Sequence, residues 1–168
     1  DTFLEQGEYE KLKDYLKDYR VASDTDSRTV LCRNLTIDAI LQYYHTRCQQ
    51  NDIDLSVHAE LPAELPYSDT DLSILFGNLL ENAFEACTSQ LTGRKYIQIQ
   101  AGWQREKLCL RVENSHSNRI RTHKCRYLST THSGDGIGTQ SVRALTERLN
   151  GQIKFDVTDS TFRVSVIL

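Results

Sequence analysis

SDTDLSILFGNLLENAFEACT, residues 68–88, is the stretch on which the fold turns. Leu72, Leu75, Phe76, Leu79, Leu80, Ala83, Phe84 and Cys87 return at intervals of three and four, the spacing of one wide helical face. Ser68, Asp69, Thr70 and Asp71 supply N-cap candidates at its start. A helix with so broad an apolar face is predicted to lie at the centre of a core, so its flanks set the architecture.

Upstream, Leu35, Ile37, Ile40, Leu41 and Tyr44 recur at helical spacing between Asn34 and about Gln50. Ile53, Leu55 and Val57 then alternate with polar residues as a half-buried strand does, and Pro62 and Pro66 bracket the loop that follows. Downstream, Ile97, Ile99 and Ala101 face Leu108, Leu110 and Val112 in two alternating strands around a polar turn at Arg105 and Glu106. Residues 114–134 read as a long irregular segment of the kind usually kept for function or left disordered. A short helix is predicted from Gly138 to Asn150, with Gly151 as its C-terminal cap. Ile153, Phe155 and Val157, then Phe162, Val164, Val166 and Leu168, form a closing hairpin. This order predicts an α+β fold, a two-layer α/β sandwich with helices on one face of a mixed, mostly antiparallel sheet.

The chain ends are different in character. Residues 1–20 are charged and aromatic, with Tyr9, Leu12, Leu16 and Tyr19 making one apolar stripe and Gly7 standing where a turn between two helices would fall. That stripe either packs on its own domain or awaits a partner chain, and its place on an end segment favours the partner. Residues 21–29 read as a linker rich in Ser, Thr and Asp.

With 168 residues, 39% hydrophobic and 26% charged, the chain has the make-up of one globular domain plus a short appendage. Twenty basic against 23 acidic residues leave a net charge of −3, which removes the usual case for nucleic acid or an anionic membrane surface. No apolar run reaches the length of a bilayer span, and no signal peptide opens the sequence. There is no methionine, so the chain is expected to be a piece of a larger protein. The five cysteines are scattered and odd in number, which argues for reduced thiols in a cytosolic setting over a disulfide framework. Zinc at Cys125 with His123 or His132 would match no structural zinc spacing.

Three groups of residues carry candidate chemistry. Asn78 and Asn82 stand one turn apart at the border of the central apolar face, with Glu81 and Glu85 on the same flank. Asparagine is a poor mid-helix residue, so two of them call for a reason. They either hydrogen-bond a neighbouring loop or present amide oxygens to a hard cation such as Mg2+. Gly134-Asp135-Gly136-Ile137-Gly138 precedes the last helix, where glycine backbone and unpaired N–H groups suit an anion; alone, the run is equally a plain flexible turn. No Gly-Lys-[Ser/Thr] follows it, and Thr139 stands where a dinucleotide fingerprint wants its third glycine. Between these groups, residues 114–134 contain no acidic residue but hold Arg119, Arg121, Lys124 and Arg126 with His116, His123 and His132. Such a loop is either a solvated surface or suited to closing over polyphosphate.

Taken together, these residues resemble the GHKL superfamily, the Bergerat-fold ATP-binding proteins. Asn78-Leu79-Leu80-Glu81-Asn82-Ala83 is similar to its N-box, and Gly134-Asp135-Gly136-Ile137-Gly138 to its second glycine box. Within the superfamily the chain most resembles the catalytic domains of peptide-pheromone quorum-sensing sensor histidine kinases. The likeness extends through Glu5-Gln6-Gly7-Glu8-Tyr9 and Leu12-Lys13-Asp14-Tyr15-Leu16.

The resemblance implies roles residue by residue. Asn82 matches the Mg2+ ligand, and Asn78 the N-box position that supports metal and phosphate. Hydrolytic relatives carry a water-activating glutamate at the position of Asn78; an amide there implies phosphoryl transfer instead. Gly134, Gly136 and Gly138, with Ile137 and Thr139, would meet the phosphates, and residues 115–133 would form the lid. The adenine-reading D-x-G-x-G box appears as Asn114-Ser115-His116-Ser117-Asn118, an acceptor without charge and without hinge glycines. Thr131 stands where relatives tend to carry a lysine. ATP and Mg2+ are the implied cofactors.

Residues 1–20 would be the remnant of a dimerisation and phosphoacceptor hairpin, 21–29 its linker and 30–168 the catalytic domain. None of His45, His58, His116, His123 and His132 stands where the family places its phosphoacceptor, so that histidine is expected upstream of Asp1 and no catalytic residue within the chain. The implied partners are a response regulator and, in the intact protein, a second copy of the chain, with no nucleic acid. The implied setting is the cytoplasmic part of a membrane-anchored sensor. The altered Asn114 box and Thr131 keep a rival open, a non-catalytic GHKL-type regulatory module with a degenerate pocket.

Overall fold

The structure is a computed structural model and describes residues 29–117, 121–123, 126–128 and 137–168. The hairpin remnant assigned to residues 1–20 lies outside the described residues, as do residues 21–28 of the linker assigned to 21–29 and Gly134, Asp135 and Gly136.

Helix α1 (Leu35–Gln50) opens at Asn34, whose side chain accepts from the Ile37 N–H at 3.1 Å and donates to the Ala63 carbonyl at 2.9 Å. Ile37, Ile40, Leu41, Tyr44 and Cys48 form its buried face. Leu35 does not belong to that face and is 61% exposed, because it lies about 200° round the helix from Ile37. Thr36 and Asp38 are buried instead, each satisfied. Thr36 Oγ1 donates to Asp69 Oδ1 at 2.7 Å, and Asp38 Oδ1 accepts from the Leu31 and Cys32 N–H groups at 2.7 and 3.0 Å.

Strand β1 (Asp54–Glu60) follows, then helix α2 (Asp69–Thr88), capped by the Ser68 hydroxyl on the Asp71 N–H. All eight apolar residues read from the central stretch are buried. Strands β2 (Tyr96–Gln104) and β3 (Lys107–Ser115) form a hairpin whose turn residues, Arg105 and Glu106, both have positive φ, at 51° and 61°. A two-residue turn of that hand matches the strand twist, although neither residue is one that favours it.

Two short strands, β4 (Arg121–His123) and β5 (Arg126–Leu128), pair antiparallel with each other. Helix α3 (Ile137–Arg148) leads into β6 (Gln152–Val157) and β7 (Thr161–Ile167). The main sheet has five strands in the order β1-β2-β3-β7-β6, parallel between β1 and β2 and antiparallel elsewhere. Ile97, Ile99, Leu108, Leu110, Val112, Val164 and Val166 pack inward with the helices, while Gln98, Gln100 and Arg111 face solvent. The predicted α+β sandwich with a mixed sheet is therefore the observed architecture.

Two expectations are corrected. Residues 114–134 are not one irregular loop: β3 continues through Asn114 and Ser115, which pair with Phe162 and Thr161 of β7, and β4 and β5 lie further along. Gly151 is not the left-handed cap of α3. That residue is Asn150, at φ 54°, with its N–H on the Glu147 carbonyl and the Gly151 N–H on the Thr146 carbonyl, a Schellman closure. Gly151 is required for space, since a Cβ there would stand 2.4 Å from the Ile167 carbonyl oxygen.

Candidate functional site

The polar flank of α2 is built by what its neighbours occupy. Glu81 turns to α1: Tyr44 Oη donates to its Oε2 at 2.7 Å, and Arg47 Nη1 pairs with the same oxygen at 2.6 Å. The Arg47 guanidinium lies 4.1 Å from the Phe84 ring centroid, a cation–π contact that fixes the pair against the helix. Burial, then the Glu81 carboxylate, pushes the Tyr44 hydroxyl well above its ordinary pKa. Glu81 is thus a tie between helices, and the flank left beside it is that of Asn78 and Asn82.

Asn78 Nδ2 donates to the Ile74 carbonyl at 2.7 Å, one turn back along its own helix. Asn82 Nδ2 is buried with no partner among the described residues. In both residues the amide nitrogen is turned to the protein, and no described hydrogen bond engages Oδ1. A buried donor left unpaired costs about 1–3 kcal/mol, and such groups in a folded protein call for a functional reason.

The third asparagine, Asn114, is 2% exposed at the end of β3. Its Nδ2 donates to the Ser115 carbonyl at 3.0 Å, which again leaves Oδ1 as the unengaged acceptor. Cys87, in the last turn of α2, donates to the Tyr96 and Ser115 carbonyls at 3.3 and 3.6 Å, so the end of α2 is fastened to the end of β3. The His116 N–H closes the strand on the Ser160 carbonyl at 3.0 Å.

Helix α3 supplies the third side. Arg148, its last residue, pairs with Asp71 in the first turn of α2, and that pairing holds the Asp71 carboxyl below its ordinary pKa. Helix α3 packs along α2. Its 12 residues span about 18 Å. Ile137 and Gly138 are the first two residues of α3, and Thr139 follows, half-buried. Asn78 and Asn82 thus lie on α2, Asn114 near the end of β3 to which the last turn of α2 is fastened, and Ile137, Gly138 and Thr139 at the start of α3, with Gly134 and Gly136 outside the described residues. Cys125, His132 and Thr131 also lie outside them.

Among the described residues no group of three His, Cys, Asp or Glu side chains could hold a metal. The Asn82 Oδ1 opposite its buried nitrogen is a hard donor of the kind Mg2+ accepts alongside water. The residues present fit such an ion. Reading the sequence missed the side-chain pair of Ser115 and Gln90 beside Asn114. Ser115 Oγ donates to Gln90 Oε1 at 2.8 Å, a pairing across 25 positions that no local pattern announces.

With this geometry in hand, the chain belongs to the GHKL domain family, whose profile it matches over residues 68–168. Its fold is similar to that of the catalytic domain of histidine kinase ThkA in a nucleotide-free form, with a TM-score of 0.62 at 16% identity over 79% of this chain and 88% of that one. The histidine kinase domain of the blue-light-activated kinase EL346 of Erythrobacter litoralis aligns with a TM-score of 0.58 at 18% identity, over 94% of this chain and 69% of that one. The mycobacterial sensor histidine kinase MprB gives 0.58 at 15% identity, over 79% and 92%. At these identities the likeness is one of fold. No curated protein matches the chain. Among the described residues no helix is long and apolar enough to cross a membrane.

Proposed function

We propose that this chain is the ATP-binding catalytic domain of a sensor histidine kinase of a two-component system, of the peptide-pheromone quorum-sensing kind. The observation that carries the reading is the set of three amides, Asn78, Asn82 and Asn114, whose nitrogens face the protein and whose oxygens are left unengaged. Membership of the GHKL family and the likeness in fold to histidine kinase catalytic domains support it.

In this reading Asn114 Oδ1 accepts from the adenine amine, and Asn82 Oδ1 holds Mg2+ with Asn78 beside it. When bound, Mg2+ neutralises charge on the phosphates. Ile137, Gly138 and Thr139, at the start of α3, with Gly134 and Gly136 ahead of them in the sequence, would offer backbone N–H groups and the positive end of the helix dipole to the same phosphates. Asn78 cannot take a proton from water as a carboxylate would, so this position supplies no general base for hydrolysis, in keeping with phosphoryl transfer. The acceptor histidine belongs to a dimerisation hairpin of which residues 1–20 are the remnant, joined by residues 21–29 to the catalytic domain at 30–168. The parent is then a dimeric, membrane-anchored sensor whose cytoplasmic part passes the phosphoryl group to a response regulator.

The test is a longer chain that carries the upstream helix, incubated with γ-labelled ATP and Mg2+. The reading predicts acid-labile, base-stable phosphate on an upstream histidine, lost in Asn82→Ala. Nucleotide binding with no phosphohistidine in the longer chain would favour the non-catalytic module.

A further inference from the structure

The main sheet ends in β1 on one side and β6 on the other, and among the described residues no strand pairs with the outer side of either. A strand at a sheet edge turns backbone N–H and C=O groups outward, a template for another strand, and folded proteins blunt such edges with proline, bulges or charge. Strand β6, Gln-Ile-Lys-Phe-Asp-Val, has no proline or glycine, and none of its residues has positive φ. Its one basic residue, Lys154, is neutralised two positions on by Asp156, Nζ to Oδ1 at 2.8 Å. Its inner row is also incompletely covered. Ile153 and Phe155 are half-buried and Val157 is 37% exposed, whereas Val166 and Val164, which face Ile153 and Phe155 from β7, are buried.

The sequence of β6 is complementary to itself. When two copies of one strand pair antiparallel about a two-fold axis, the wet and dry faces match only if the axis falls on a residue and not between two. Centred on Lys154, the pairing sets lysine against lysine; centred on Asp156, it sets aspartate against aspartate. Centred on Phe155, it sets Lys154 opposite Asp156 of the second copy, twice over, and Ile153 opposite Val157 on the dry face. Opposite charges directly across a strand pair stabilise it and like charges oppose it. Edge β1 is not built this way. With all seven of its residues paired, about Val57, Asp54 stands opposite Glu60 of the second copy.

We propose that β6 is an interface between two copies of this chain, the two edges pairing antiparallel about Phe155 so that the five-stranded sheets continue as one. The inference stands on the sheet and its register, independent of the nucleotide reading, and the contact is separate from the hairpin remnant assigned to residues 1–20. Six residues a side make a small interface, so association is expected only at high concentration.

The experiment is sedimentation equilibrium of the full chain from micromolar to millimolar concentration, with two charge variants. The Lys154 and Asp156 side chains are 74% and 39% exposed, so neither substitution disturbs the core. In a homodimer, Lys154→Glu sets acid against acid at both pairs, and Asp156→Lys sets base against base. Each variant alone is expected to self-associate at least about tenfold more weakly than the parent chain. Mixed, the two variants regain an opposite charge at both pairs, and a heterodimer within about threefold of the parent affinity is expected. Hydrogen exchange at the β6 amides should slow with concentration in the parent chain and in the mixture, but in neither variant alone. A parent chain that stays monomeric at millimolar concentration overturns the inference. So does self-association that both variants leave unchanged, which puts the contact elsewhere, or a mixture that associates no better than its components.

Discussion

Glu81 and Asn82 are adjacent in sequence and do different work. Glu81 accepts from Tyr44 and pairs with Arg47, both on α1, so Glu81→Gln should lower stability by about 1–2 kcal/mol, the range of a hydrogen bond to a charged group with partial exposure. Chemical denaturation measures that loss, and nucleotide affinity should not change. Gly151 is a second single-residue case. Gly151→Ala places a Cβ against the Ile167 carbonyl, and the shift needed to relieve it should cost about 1–3 kcal/mol in the same experiment. The sequence made Gly151 look like a cap because glycine usually fills the left-handed position. Here Asn150 tolerates that conformation, and the tight approach of β7 claims the glycine. Asn78 and Asn82 were legible for the opposite reason: an amide in mid-helix is out of place, and the eye stops there.

Among the elements, α1 depends on a polar strap. Asp38 holds the Leu31 and Cys32 N–H groups, and Asp38→Ala leaves both without an acceptor, which should cost about 2–3 kcal/mol in denaturation. The pairing of α2 with α3 carries a pH signature. The Asp71 carboxyl is depressed chiefly by the Arg148 hydrogen bond, so its stabilising contribution is present above the ordinary carboxylate pKa and is lost as pH falls through the lower, folded value. Stability measured from pH 6 downward should fall less steeply in Arg148→Ala than in the parent chain. Alternation made β2, β3, β6 and β7 readable, because each has one wet face and one dry face. Thr36 and Asp38 were not readable as buried, since their partners, Asp69 and the strap of residues 31 and 32, are fixed only by the folded chain.

Among the described residues, the thiols of Cys32, Cys48 and Cys87 are buried. Burial, and secondarily the nearby Cys87, pushes the Cys48 thiol up to about 12 from 9.0. The unfolded chain therefore gives up that proton first as pH rises above 9, and the fold loses stability between there and about 12. Buried Cys32, Cys48 and Cys87 should react with a thiol reagent only at the rate of opening, while half-buried Cys109 reacts from the native state; mass spectrometry of labelled peptides separates them.

The strand order β1-β2-β3-β7-β6 and the parallel register of β1 on β2 were beyond the sequence, because alternation marks a strand but not its neighbour. The junction where the end of α2 is fastened to the end of β3, with α3 packed on α2, is a product of that order, and it is the centre of the account. Calorimetric titration with a non-hydrolysable ATP analogue, with and without Mg2+, in the parent chain and in Asn82→Ala, tests it most directly. The account predicts saturable binding that strengthens with Mg2+ and that falls by about tenfold or more when the amide ligand is lost. Absence of binding at millimolar nucleotide, or binding indifferent to both Mg2+ and Asn82, would contradict it.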